Sequence, residues 1–356
     1  MRMYFLLLAS ICMIFASCTN KSEDEIEKEA SSGVVLVQNK SFYEVILSND
    51  AHMYFTSFDK EEGIKGLVLD KDSVEVAVSY GTGFIISDEG QIVTNAHVVS
   101  NLVADKDVNK SVSEFIDALK EVTKALYNKY DEDYQEAQRA YAYAYASSEV
   151  SYETFCEVRD YRDALMQERD ECASIYYSLD DIRASESEIK YHNEVSVAYN
   201  NTFVTNDNDF SSCVITKTDA EHDLALIQLK NKQTPEGRYV FAIEESDPIE
   251  TYSFMDDVTE KISEDKNSRL YMIGFNLGPA LAITKEGVKS QFNSGMISQR
   301  TEDRLMYSIP ALPGSSGSPV LNRRGQLVAI NYAGLNGTQG FNYGIRVKHL
   351  KNLLNK

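Results

Sequence analysis

The sequence predicts a mainly β protein, a sandwich or barrel, interrupted by a long α-helical hairpin. Two observations carry this reading. Short stretches of alternating apolar and polar residues, punctuated by glycine turns, occupy residues 33–100 and return after Lys190. Between Gln91 and Thr234 there is no Gly or Pro, and apolar residues recur there at helical spacing. The chain has 356 residues, 43% hydrophobic and 25% charged, which suffices for a sizeable core. Its net charge of −20 lacks the basic footprint that a nucleic-acid partner demands.

From the N-terminus, Met1-Arg2 precedes an apolar run, Met3 to Ala16, then Ser17-Cys18. This is the pattern of a secretory signal peptide, and the run is shorter than the roughly 20 residues of a spanning helix. Phe15-Ala16-Ser17-Cys18 resembles a bacterial lipobox, with Phe15 where Leu is usual. That resemblance implies removal of residues 1–17, lipidation of Cys18, and attachment to the membrane through acyl chains. Residues 18–32 are polar and charged and read as a flexible tether.

Strand texture follows at Val34–Val37, Tyr43–Leu47 and Val74–Val78. Helical spacing then runs through Val112, Phe115, Leu119, Val122 and Leu126 to Tyr145, and again from Val158 to Ile182. The break falls at Ala146-Ser147-Ser148-Glu149-Val150-Ser151, where serines suit a helix cap. An antiparallel hairpin with arms about 50 Å long is the simplest structure; one continuous helix is the alternative. Strand texture resumes at Glu194–Tyr199, Leu224–Leu229, Arg269–Gly274, Leu281–Thr284 and Gln326–Ile330, and Val347–Leu354 closes the chain as a helix. One β domain, 33–100 with 191–356, is therefore expected around an insertion at 101–190. Cys156 and Cys172 fall on one helix, about 24 Å apart, too far to pair. No CxxC or HExxH spacing suggests a metal, and no cofactor is implied.

A serine hydroxyl becomes a nucleophile when an imidazole takes its proton, a carboxylate orients the imidazole, and amides receive the oxyanion. Three motifs supply these parts: Thr94-Asn95-Ala96-His97-Val98-Val99, His222-Asp223-Leu224-Ala225-Leu226-Ile227, and Pro313-Gly314-Ser315-Ser316-Gly317-Ser318-Pro319-Val320. Together they resemble the trypsin-like serine proteases, particularly the bacterial HtrA (Deg) branch. The resemblance covers roughly 75–100 and 194–350 and implies a trypsin-like double β-barrel fold. It implies His97 as general base, Asp223 as its orienting acid, Ser316 as nucleophile, and the N–H groups of Gly314 and Ser316 as oxyanion hole. Protein or peptide substrates follow from it. The order His, Asp, Ser differs from that of α/β-hydrolases and subtilisins.

The resemblance also sets expectations at three further places. Ser315 stands where animal trypsins carry the Asp that pairs with a new N-terminus, so activation by such insertion does not apply. Pro310 stands where trypsin has its specificity acid, and the pocket walls are expected at Ala311, the Asn331-Tyr332-Ala333-Gly334 strand and Phe341, giving an apolar P1 preference. HtrA proteins usually continue into PDZ domains, and about 40 residues past Ser316 leave no room for one.

His97 and Asp223 are 126 positions apart, far more than in HtrA-like sequences. Residues 101–190 hold 21 Asp/Glu, 11 Lys/Arg and 10 of the 22 tyrosines. A solvated hairpin packing its own tyrosines is one reading. A partner-, substrate- or oligomer-binding arm spanning 105–187 is the other, since Tyr141, Tyr143 and Tyr145 cannot all face one side. The expected function is an envelope-anchored endopeptidase, on the periplasmic face or cell surface. The rival is a protease-fold binding or scaffold lipoprotein acting through the hairpin.

Overall fold

The computed structural model describes residues 21–101, 103–249, 269–334 and 340–355. The expected signal peptide and Cys18 lie outside the described residues. The chain divides into two compact units, one of Met1–Ser41, Val78–Leu102 and Asn193–Lys356, the other of Phe42–Ala77 and Val103–His192. The stretch 42–77, expected with the protease domain, thus groups with the helical region instead.

The first unit opens with a departure from expectation. Residues 23–30, read as part of a tether, form helix α1 (Glu23–Ala30). A reciprocal capping box starts it: the Glu25 N–H donates to the Ser22 hydroxyl, and the Ser22 N–H donates to the Glu25 carboxylate at 2.8 Å. Ile26 and Ala30, four apart and so on one face, are buried in the main core with Val34, Leu36 and Phe241.

Strand β1 (Val34–Ile46) pairs β2 (His52–Phe55); β3 (Ser57–Asp59) and β4 (Gly63–Lys65) form a small ribbon. The next strand, β5 (Ala77–Ile85), begins later than the expected Val74, because Asp70 caps a 3₁₀ turn at Lys71–Ser73. Six strands then form a ring. Their order is β1, β5, β6 (Gln91–Thr94), β9 (Leu224–Leu229), β8 (Ser211–Asp219) and β7 (Glu188–Tyr199), and pairing of β1 with β7 closes it. Val35, Val37, Ile85, Ile92, Val197 and Ile227 pack together in one of its buried clusters.

The second ring is a closed barrel in the order β10 (Arg269–Gly274), β13 (Gln291–Arg300), β14 (Arg304–Tyr307), β17 (Asn342–Arg346), β16 (Leu327–Gly334) and β15 (Pro319–Leu321). Between β10 and β13 the first half of the expected strand at Leu281–Thr284 falls in a helical turn at Pro279–Ala282. Pro279 suits its first position, where no N–H is needed. Only Ile283–Thr284 continues as strand β11, paired with β12 (Gly287–Val288). The chain closes with a helix at Val347–Asn355. A mainly β fold of two closed six-stranded rings, interrupted by a helical insertion, is thus what the chain forms, as the sequence predicts.

In the second unit the hairpin is two helices, α3 (Asp105–Ala146) and α4 (Tyr152–Asp180), of 42 and 29 residues. At 1.5 Å per residue these are about 63 and 44 Å long, unequal arms rather than equal ones. The break is where the serines predicted it, and the Ser151 hydroxyl accepts the Thr154 N–H at 3.1 Å. Antiparallel register shows in Lys120 with Asp180, Arg169 with Asp131, and the Arg162 guanidinium 3.9 Å above the Tyr141 ring. The base of α3 buries Val108, Val112 and Ile116 against Tyr43, Val45 and Phe55. Farther along, Tyr143 and Tyr145 stay exposed.

Candidate active site

Strand β6 ends at Thr94, and the chain turns at once into a short helix, α2 (Ala96–Val99), that carries His97. Opposite, β9 pairs with β6 in the register Thr94 to Ala225, so the residue before β9 meets the start of that helix. That residue is Asp223. Its backbone is left-handed, with φ +50°, and its carbonyl accepts from Ala96 N–H and from the Asn95 side chain at 2.9 Å. The buried carboxylate makes two bonds to one residue: Oδ1 accepts the His97 N–H at 2.8 Å, and Oδ2 sits 2.6 Å from His97 Nδ1. Nδ1 is thereby fixed as the protonated nitrogen, which leaves Nε2 as a base.

Ser316 belongs to the loop between β14 and β15. Gly314 has φ +97° and Gly317 φ +88°, a backbone that side chains rarely adopt. A Cβ at Gly314 would lie 2.4 Å from the Phe275 carbonyl oxygen, and at Gly317 2.1 Å from that of Thr82. Thr82 braces the loop twice: its hydroxyl donates to the Gly314 carbonyl at 2.8 Å, and its N–H donates to the Ser316 carbonyl. Buried Asn331 braces it from β16. Its side-chain amide donates to the Ser315 carbonyl and hydroxyl, and its oxygen accepts the Tyr307 hydroxyl at 2.8 Å. Ser315 is itself buried and donates to the Leu312 carbonyl at 2.7 Å. The loop is thus ordered by neutral groups, with no ion pair at Ser315. Among the described residues the N–H groups of Gly314 and Ser316 meet no acceptor, while those of Ser315, Gly317 and Ser318 all do.

The Ser316 hydroxyl donates to the Tyr332 carbonyl at 3.1 Å. The Tyr332 ring stands edge-on to His97, with centroids 6.5 Å apart. Beside His97 opens a cavity of about 610 Å³. Tyr332, Arg304, Asp303, His222 and Asp223 line it, and the Arg304 guanidinium lies 5.4 Å from the centre of the Tyr332 ring. Of the expected pocket walls, Ala311 packs partly buried against the second barrel's core, Phe341 is exposed, and Ala333 lies in β16; neither Ala311 nor Phe341 lines this cavity.

The sequence motifs assigned Thr82 and Asn331 no bracing role, although Asn331 was expected in a pocket wall, and they did not point to Asp303 or His349. The last two meet His222 behind the cavity, where burial and then His222 push the His349 imidazole below its ordinary value, against the pull of Asp303.

Residues 182–330 match the family model described as the trypsin-like peptidase domain. No curated protein matches the chain. Among solved structures, it is similar to the crystal structure of the serine endoprotease from Yersinia pestis, at 14% identity and a TM-score of 0.43. The alignment covers 95% of this chain and 66% of that one. The matched stretch, residues 182–330, is similar to a trypsin-like peptidase domain and includes both Asp223 and Ser316.

Proposed function

We propose that this chain is a serine endopeptidase working through His97, Asp223 and Ser316, lipid-anchored at Cys18 in a bacterial envelope. The single observation that best supports the reading is the doubly bonded His97–Asp223 pair. One carboxylate fixes both the backbone and the imidazole of the same residue. Such an arrangement holds the base in one tautomer and stabilises the imidazolium that forms when the serine proton arrives.

In the reaction the Ser316 hydroxyl leaves the Tyr332 carbonyl by rotation about its side chain and gives its proton to His97 Nε2. Oγ attacks the scissile carbonyl, whose oxygen collects charge facing the Gly314 and Ser316 N–H groups. His97 then protonates the departing amine, and water repeats the sequence on the acyl-enzyme. An apolar P1 side chain suits the absence of an acid at Pro310.

Fluorophosphonate labelling of the full chain tests this reading. Labelling at Ser316 that disappears in Ser316→Ala is expected. A chain that remains unlabelled under native conditions overturns it in favour of a binding protein. Metabolic labelling with a fatty-acid probe, lost in Cys18→Ser, checks the anchor.

A further inference from the structure

His222 and His349 stack behind the cavity, with ring centroids 3.8 Å apart and planes 21° from parallel. Asp303 joins them: its Oδ1 lies 3.0 Å from His349 Nε2. One ligand atom from each of the three falls within 4.8 Å of the other two. In a tetrahedral site with bonds of about 2.0 Å, donor atoms sit about 3.3 Å apart, so the cluster is close to that size already.

Two further features point to a cation. First, His222 is prepared as a ligand. Its Nδ1 lies 3.2 Å from Asp219 Oδ2, and that carboxylate is held in turn by the Glu221 and His222 N–H groups. A carboxylate on one imidazole nitrogen directs the other to a metal and raises its basicity. Second, His349 is 6% exposed and stacks on the second imidazole. Two polar rings packed face to face in a largely buried place are costly unless something else uses the pair.

Charge agrees. Asp219, Glu221, Asp223 and Asp303 face or adjoin the cluster, against Arg304 on the cavity wall and Lys348, whose Nζ lies 3.9 Å from Asp303 Oδ1. Two imidazoles and one carboxylate suit Zn²⁺ and Co²⁺ rather than Ca²⁺ or Mg²⁺, which prefer oxygen donors. Water supplies the fourth position.

We propose that His222, Asp303 and His349 form a site for a borderline divalent cation, Zn²⁺ first, whose filling slows the chemistry of the adjoining His97–Asp223 pair. The second half rests on the peptidase reading. Stacked rings carry their in-plane lone pairs side by side, so ligation by both tilts them apart. His222 is the more exposed ring and is the one that moves. Its chain neighbour is Asp223, whose left-handed backbone and carboxylate hold His97. A pull on His222 is therefore delivered to the base.

The test uses the full chain, stripped by a chelator, in two arms. In the first, Co²⁺ is titrated while visible absorption is followed, and Zn²⁺ is then added in competition. The expected result is one tetrahedral Co²⁺ band per chain, displaced by Zn²⁺ and weakened at least about tenfold in His222→Gln, His349→Asn and Asp303→Asn. His52→Gln, outside the cluster, leaves it unchanged. His222→Gln, at a partly exposed position, keeps the test sharp where a change at buried His349 impairs folding. No band below about 1 mM Co²⁺, or a band that persists in His222→Gln, overturns the site. In the second arm, Zn²⁺ slows fluorophosphonate labelling of Ser316 by roughly fivefold or more in the unaltered chain, and not in His222→Gln. Equal slowing in both means that Zn²⁺ acts at His97 directly, and overturns the regulatory half. Absence of labelling in the metal-free chain overturns the peptidase reading instead, and the Co²⁺ spectrum then decides the cation site alone.

Discussion

Asp223 holds His97 through two hydrogen bonds, and each does different work. Replacing its carboxylate by an amide keeps the shape but reverses one bonding partner, so the imidazole is offered in the wrong tautomer. Asp223→Asn should therefore lower kcat by about 10⁴, as in serine peptidases generally, with the fold intact by circular dichroism. Asn331 acts through the loop rather than on substrate. Burial pushes the Tyr307 phenol far up, so it stays a hydroxyl donor to Asn331, while Asn331 in turn ties down Ser315. Asn331→Leu leaves the Tyr307 hydroxyl without its acceptor, at about 1–3 kcal/mol, and removes one donor from Ser315, whose carbonyl still accepts from Ser318 and whose hydroxyl still donates to Leu312. The expected outcome is a lower melting temperature together with a labelling rate at Ser316 that falls while His97→Gln-type inactivation is not reached. Rescue by Asn331→Gln would be partial. The pairing of His97 with Asp223 and the glycine-framed loop of Ser316 could be anticipated because each residue sits inside a contiguous motif. The bracing roles of Asn331 and Thr82 and the His222–Asp303–His349 cluster could not, because their partners arrive from other strands or from the other ring, and no spacing rule joins such residues.

The long helices were legible as well, since a span free of Gly and Pro with apolar residues at helical spacing has few alternatives. Helix α1 escaped because Ile26 and Ala30 are just two apolar positions in an acidic string, and composition outvoted them. The Ser22–Glu25 capping box was the local signal that could have revealed it. The base of the second unit carries its own electrostatic feature. Glu44 on β1 accepts from His52 at 2.7 Å and from His192 at 2.6 Å. Burial raises the Glu44 carboxyl, but the hydrogen bonds from His192 and His52 outweigh it, and the net direction is down. A carboxylate with a lowered folded pKa contributes stability that is whole above its unfolded value and is lost as pH falls through the lowered one. The melting temperature of the unaltered chain should thus exceed that of Glu44→Gln near pH 6, and the gap should close between about pH 5 and pH 3. A gap that stays constant across that range would show the bonds to be geometric rather than ionic in effect. Nearby, Ile116→Ala removes a side chain buried beside Val112 and should cost about 2–5 kcal/mol, read from urea unfolding.

At the scale of the whole molecule, the hairpin is the part that the catalytic motifs do not explain. It separates His97 from Asp223 in sequence, and pairing of β6 with β9 brings the two back together. Its distal part carries exposed aromatic surface: Tyr143, Tyr145, Tyr152 and Tyr161 are all more than half exposed. If that surface binds substrate, an unfolded protein and a short peptide should respond differently to its loss. Full deletion is a poor test, because Val108, Val112 and Ile116 cover Tyr43, Val45 and Phe55, and their removal uncovers that cluster. The register supplies a better cut. Lys120 faces Asp180, Arg169 faces Asp131 and Arg162 faces Tyr141, so residues 127 and 175 lie near one another across the hairpin. Joining them by a Gly-Ser turn in place of 128–174 removes the tyrosines and keeps the buried base. If the arm grips substrate, this shortened chain cleaves a short chromogenic peptide with kcat/KM within about twofold of the original, while cleavage of an unfolded protein substrate falls about tenfold through KM. Equal rates on both substrates would mean that the arm serves something other than substrate capture. Loss on both would mean that it supports the catalytic unit itself, and ordinary fluorophosphonate labelling of Ser316 in the shortened chain separates that outcome from the first.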